Sequence, residues 1–230
     1  MRSLLCVAFL LVSSPGCVLV GQPQPLLVQL LPVGENTLEA SDGEGIYTVS
    51  LEAARLRFTA VRVIPTTVLV GEVTLDTPIV DITLPGGQPL ASMPDPNGEP
   101  LDKVEVELRD DTSDLALIMT FTVKLKNGAK VKGDVVLPVG AGEIQIFPSA
   151  PINLGGGNNF GIDIVFDKSH LLDGIDFDAL AGCFDDTPAK SAPAAPVCHD
   201  FVIDADNNPE LLPVLEGNLA AAFIDVTPAI

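Results

Sequence analysis

The sequence predicts an all-β fold, a single antiparallel β-sandwich of about nine to eleven strands with one or two short helices near the C-terminus. Three observations lead there. Apolar and polar residues alternate at period two in one short segment after another. Turn-forming residues, among them 20 glycines and 20 prolines in 230 residues, separate those segments. Helix start and stop signals occur only late in the chain. The 47% hydrophobic content supplies a sizeable core although there is no tryptophan and one tyrosine. No break in composition divides the chain, so one domain is expected.

The first segment reads as an address. Met1-Arg2-Ser3 places one positive charge before the apolar run Leu4 to Val12, which has the length of a secretory h-region and is too short to cross a bilayer. Ser13-Ser14-Pro15-Gly16-Cys17 follows and resembles the lipobox of bacterial lipoproteins, although Ser14 stands where that motif usually carries Leu, Val or Ile. The expectation is a signal peptide over 1–16, a lipidated Cys17 at the mature N-terminus, a short tether over 17–25 and a sandwich over 26–230. Cleavage near Gly21, leaving a free protein in the same compartment, is the alternative.

The cysteines agree with export. Cys6 belongs to the signal and Cys17 to the anchor, which leaves Cys183 and Cys198 as an even pair for a disulfide in an oxidising compartment. A formal charge of -19 and a pI near 4.1 exclude a nucleic acid or a bare anionic lipid surface as partner, since both require clustered Lys and Arg. The same acidity is compatible with divalent cations.

The strands can be followed in order. Tyr47, Val49, Leu51 and Ala53 alternate with Thr48, Ser50 and Glu52. At Ala54 the phase shifts, and Leu56 and Phe58 continue the apolar face, the signature of a β-bulge. Segments Thr67 to Leu75 and Ile79 to Leu84 come next, followed by a Gly- and Pro-rich loop from Gly86 to Pro100. Val104, Val106 and Leu108 form another strand. Leu117 to Leu125 has the longest period-two run and turns at Lys126-Asn127-Gly128-Ala129 into Lys130 to Leu137, a hairpin. Strands are also expected at Glu143 to Phe147, at Phe160 to Phe166 and at Leu219 to Val226. Asp167 or Ser169 is expected to cap a turn through Leu171 and Leu172 that ends at Gly174. Asn208, Pro209 and Gly217 bracket a short helix over Glu210 to Glu216.

The strings Tyr47-Thr48-Val49-Ser50-Leu51-Glu52-Ala53-Ala54-Arg55-Leu56-Arg57-Phe58 and Gly174-Ile175-Asp176-Phe177-Asp178-Ala179-Leu180 resemble those of uncharacterised bacterial envelope lipoproteins with β-sandwich domains. The resemblance implies an address and a fold, and transfers no functional residue.

Catalytic signatures are missing. His170 and His199 have no zinc-type spacing, there is no G-x-S-x-G elbow, and Gly155-Gly156-Gly157 leads into a strand where a phosphate loop would lead into a helix. The acidic stretch of Asp163, Asp167, Asp173, Asp176, Asp178, Asp185 and Asp186 has only Lys168 against it. It reads as a solvated face with helix caps, with cation binding and a divergent hydrolase as alternatives. Asp204, Asp206, Asn208 and Glu210 begin like an EF-hand loop, but Pro209 replaces its glycine and Leu215 its bidentate glutamate. They read as a turn and cap, with Ca²⁺ as the alternative cofactor. Lys124, Lys126, Lys130 and Lys132 fall on one face of the hairpin and are expected to pair with Glu105 and Glu107 or to guard a strand edge, with a binding patch for an anionic partner as the alternative.

The functional expectation is an exported outer-membrane lipoprotein, periplasmic or surface-exposed, acting without catalysis as a binding or structural module. Its partners would be the membrane, through the anchor, and an unknown protein or glycan. The alternatives are a calcium-dependent adhesion or carbohydrate-binding module and the acidic hydrolase.

Overall fold

The computed structural model describes residues 25–66, 72–74, 79–94, 98–108, 116–138, 142–154, 161–183 and 197–229. Thirteen strands lie among them: β1 (Leu26–Val33), β2 (Thr37–Ser41), β3 (Ile46–Pro65), β4 (Glu72–Thr74), β5 (Ile79–Asp81), β6 (Gln88–Met93), β7 (Leu101–Leu108), β8 (Leu117–Lys124), β9 (Lys130–Leu137), β10 (Glu143–Ile146), β11 (Gly161–Asp167), β12 (Phe201–Ile203) and β13 (Phe223–Pro228). Two helices, α1 (Phe177–Ala181) and α2 (Leu212–Ala221), lie late in the chain.

The strands form two sheets packed together, the all-β sandwich expected from the alternation. The smaller has the order β13-β11-β1-β6. The larger runs β10-β7-β3-β8-β9-β12, with β2, β4 and β5 also paired to β3. Most pairings are antiparallel, while β1 with β11 and β9 with β12 are parallel. The inward side chains merge into one apolar cluster.

The twenty-residue β3 organises the larger sheet. Its alternation slips between Leu51 and Ala53 opposite β8, which is the bulge that the phase shift in the sequence implies. A second slip opposite β7, between Phe58 and Ala60, comes just before the adjacent Ala60 and Val61, both of which are buried. These irregularities let one strand carry β2, β5 and β8 along its first half and β4 and β7 along its second.

The β8–β9 hairpin forms where it was expected. The Leu125 and Gly128 amides close the turn onto Ala129 O and Leu125 O at 2.8 and 2.9 Å, and Gly128 adopts φ +86°.

Other elements differ from expectation. β1 has nearly continuous apolar sequence and no clean alternation, because its second face is half-covered. β6 lies inside the segment read as a loop, and β2 and β12 were not anticipated. The strand at Ile79 ends at Asp81, whose carboxylate accepts the Thr83 N–H and O–H at 3.0 and 2.6 Å and turns the chain. Of Thr67 to Leu75, residues 72–74 are described and form a strand; the rest, with Phe160 and Gly155 to Gly157, lie outside the described residues.

The late helices also shift. A 3₁₀ turn at Pro209–Leu211 leads into α2, which runs through Gly217 to Ala221, so β13 starts at Phe223 and not at Leu219. Pro213 is tolerated because it sits in the first turn of α2, where its missing N–H breaks no helical bond. Leu215 and Leu219 are buried, and this packing carries the helix past the glycine. Asp167 caps a 3₁₀ turn at Lys168–His170 through the Ser169 amide at 2.9 Å, and Gly174 has φ +79°.

Candidate functional site

The described part of the acidic stretch is dispersed over separate structural tasks. Asp167 and Asp176 cap helical turns, and Asp173 accepts the Ser41 amide at 2.9 Å and pairs with His170 Nδ1 at 2.7 Å. Asp163 stands on β11 with its Oδ1 buried and, among the described residues, without a hydrogen-bond partner, and burial pushes its carboxyl pKa upward. Asp185 and Asp186 lie outside the described residues.

Two members of that stretch converge with a third carboxylate around the single tyrosine. The Tyr47 hydroxyl lies 2.9 Å from Asp42 Oδ2, 3.1 Å from Asp176 Oδ1 and 3.2 Å from Asp178 Oδ2. Lys126 Nζ reaches the same Asp42 oxygen at 2.8 Å and sits 5.0 Å from the centre of the Tyr47 ring. The ring is buried edge-on against Phe177, at 5.1 Å between centroids. The Lys126 ammonium holds Asp42 well below the usual carboxylate range, and Asp42 raises Lys126 in turn. Burial drives the Tyr47 hydroxyl upward, so it stays neutral. The phenol hydroxyl, the ammonium and the three carboxylates form one hydrogen-bonded and ion-paired cluster. They tie the 42–45 turn, the hairpin turn and α1 together.

The loop at 204–210 is likewise occupied with itself. Asp204 Oδ1 accepts the Asp206 amide at 2.8 Å, the Asn207 amide at 2.6 Å and the Asn207 side chain at 2.9 Å, which lowers its pKa. Asn208, at φ 56° and ψ 46°, turns its side-chain N–H to Val202 O at 2.7 Å. Glu210 lies in the first turn of the following 3₁₀ segment. Among the described residues no three His, Cys, Asp or Glu side chains are grouped to hold a metal ion.

The lysines do not meet Glu105 and Glu107. Those two glutamates lie on β7, which β3 separates from the hairpin, and they pair with Arg62 and Lys103. Lys126 turns to Asp42, Lys132 approaches Glu52 at 3.9 Å, and Lys124 stands opposite Lys130. His170 is exposed beside Asp173, and the His199 backbone N–H donates to Ala181 O at 2.9 Å.

A different lysine is buried. Lys168 is only 4% exposed, and its Nζ donates to Asn36 Oδ1 at 2.6 Å and to Ile82 O at 3.2 Å. Both acceptors are neutral. Burial pushes the Lys168 pKa down, and the charge of Asp81 opposes that shift without an ion pair among the described residues. The Asn36 carboxamide is oriented from its other end, its Nδ2 donating to Thr83 O at 3.0 Å. Gly34, at φ +86°, lets the β1–β2 turn approach, since a Cβ there would stand 3.0 Å from Ser169 Oγ and 3.7 Å from Lys168 Cγ. In the sequence Lys168 is only the lone cation of an acidic stretch. No local pattern marks Asn36, which lies 132 residues away.

The sulfurs of Cys183 and Cys198 lie at disulfide distance, 2.13 Å apart. Cys17 lies outside the described residues. Comparison of the chain with protein-family models, curated proteins and solved structures yields no match.

Proposed function

We propose that this chain is an exported, lipid-anchored protein of the bacterial envelope whose β-sandwich serves as a binding or structural module and not as an enzyme. The observation that carries the reading is the Cys183–Cys198 pair at disulfide distance. A cytosolic protein keeps such thiols reduced, whereas an exported one joins them. The other two cysteines, Cys6 and Cys17, lie in a segment with the charge, apolar run and small residues of a lipoprotein signal. The strong negative charge favours solubility at an envelope surface. The polar clusters support the same reading: the carboxylates around Tyr47 and in the 204–210 loop are engaged in holding turns together.

The membrane anchor and its partition provide the test. Wild-type protein expressed in a bacterium should enter the detergent phase on phase separation, and Cys17→Ser should move it to the aqueous phase. Wild-type protein found in the aqueous phase would overturn the anchor.

A further inference from the structure

We infer that Lys168 and Asn36 become joined by an intramolecular isopeptide bond. The Lys168 Nζ amine attacks the Asn36 Cγ, a C–N bond forms there, and the Cγ–Nδ2 bond breaks. One amine hydrogen passes to the departing nitrogen, which leaves as ammonia, so that atoms balance without an oxidant or cofactor. This covalent modification goes beyond the envelope reading and does not depend on it.

Four features place the reaction here. With Nζ 2.6 Å from Asn36 Oδ1, the adjoining carbonyl carbon lies within about 4 Å of the amine, close to the separation of a near-attack arrangement. Lys168 is buried among neutral acceptors, an environment that favours the nucleophilic amine over the ammonium. The carboxamide is held at both ends, by Lys168 and by Thr83 O, while Asn36 itself is exposed and gives the ammonia a way out. Asp81 precedes Ile82, whose carbonyl accepts from the Lys168 amine, and its charge acts on Lys168, so it is the carboxylate assigned to carry the proton.

The product also relieves the burial of an unpaired charge. A buried ammonium is costly, and conversion to a neutral secondary amide removes it while retaining one N–H for Ile82 O. The bond would tie the turn between β1 and β2 to the 3₁₀ segment after β11, closing a long loop across both sheets.

Digestion of the purified, reduced wild-type protein followed by tandem mass spectrometry tests this directly. The expected result is a branched peptide joining the Asn36 and Lys168 segments, about 17 Da lighter than the two peptides together, with no tryptic cleavage after Lys168. Lys168→Met and Asn36→Ala should abolish the branched species, and Asp81→Asn should strongly reduce it. Separate linear peptides, with trypsin cutting after Lys168, would overturn the proposal. Deamidation of Asn36 through a succinimide also releases ammonia, but it leaves Lys168 cleavable and counts as that negative result. The wild-type digest decides the matter whether or not the variants fold.

Discussion

Gly133 stands directly across from Phe121, so close that a Cβ added to the glycine would come within 2.5 Å of the phenyl ring. On its other side Gly133 pairs with Phe201, whose ring would be 2.7 Å away. The bare glycine in the middle of β9 is therefore the seat for two rings, which lie 6.0 Å apart and also touch Phe177. Gly133→Ala should destabilise the fold by about 1–3 kcal/mol, the range for overpacking a full core. Urea unfolding of the two proteins would measure it, and unchanged stability would show that the rings move aside freely.

Asp163 should be a stability defect at neutral pH. Its folded pKa is raised by burial above the unfolded value of about 3.9, so folding disfavours the charged form. The penalty is full above the folded pKa, is relieved as pH falls through it, and is gone below the unfolded value. Asp163→Asn should therefore stabilise the protein by about 1 kcal/mol at pH 7. The gain should shrink as the solution is acidified. Melting temperatures of both proteins across pH would show whether the curves converge.

Removing the cross-link between Cys183 and Cys198 should lower stability by about 3 kcal/mol in the chain-entropy description, given a sequence separation of 15. The double Cys→Ser variant compared with wild type in denaturant would measure this. Thiol titration of the unreduced protein should find neither cysteine free.

Tyr47→Phe removes a hydroxyl from among three carboxylates while leaving the buried ring in place, and should cost about 1–2 kcal/mol. Lys126→Met should also destabilise, because Asp42, Asp176 and Asp178 would then face one another without the ammonium. The depressed Asp42 pKa fixes the direction with pH. The benefit of its contacts is present above the unfolded pKa and is lost as pH falls through the lower folded value. Thermal melts of Lys126→Met and wild type should therefore approach each other in acid.

The sandwich was legible because alternation in the sequence maps directly onto which face of a strand is buried. Tyr47, Val49, Leu51, Leu56 and Phe58 all point into the core, and the shift of phase at Ala54 is the bulge. The turn at Asn127-Gly128 was legible for the same local reason, a glycine at positive φ between two alternating runs. β1 was not legible, because Leu27, Leu31 and Val33 on its second face are apolar too and blur the period. The extent of α2 was hidden because burial of Leu219 outweighs the helix-stopping tendency of Gly217.

By itself, then, the sequence determined the strand class, the main hairpin, the interruption of β3 and the pairing of two cysteines, all of which follow from local periodicity, turn chemistry or counting. Tertiary structure alone decided which polar groups meet. Asp42 joins Asp176 and Asp178 at Tyr47 because the β2–β3 turn lies over α1, and Asn36 reaches Lys168 because the β1–β2 turn crosses the end of β11. A hydrogen-bonding side chain leaves no periodic trace of its partner in the chain, since its partner is set by where the strands cross and not by neighbouring residues.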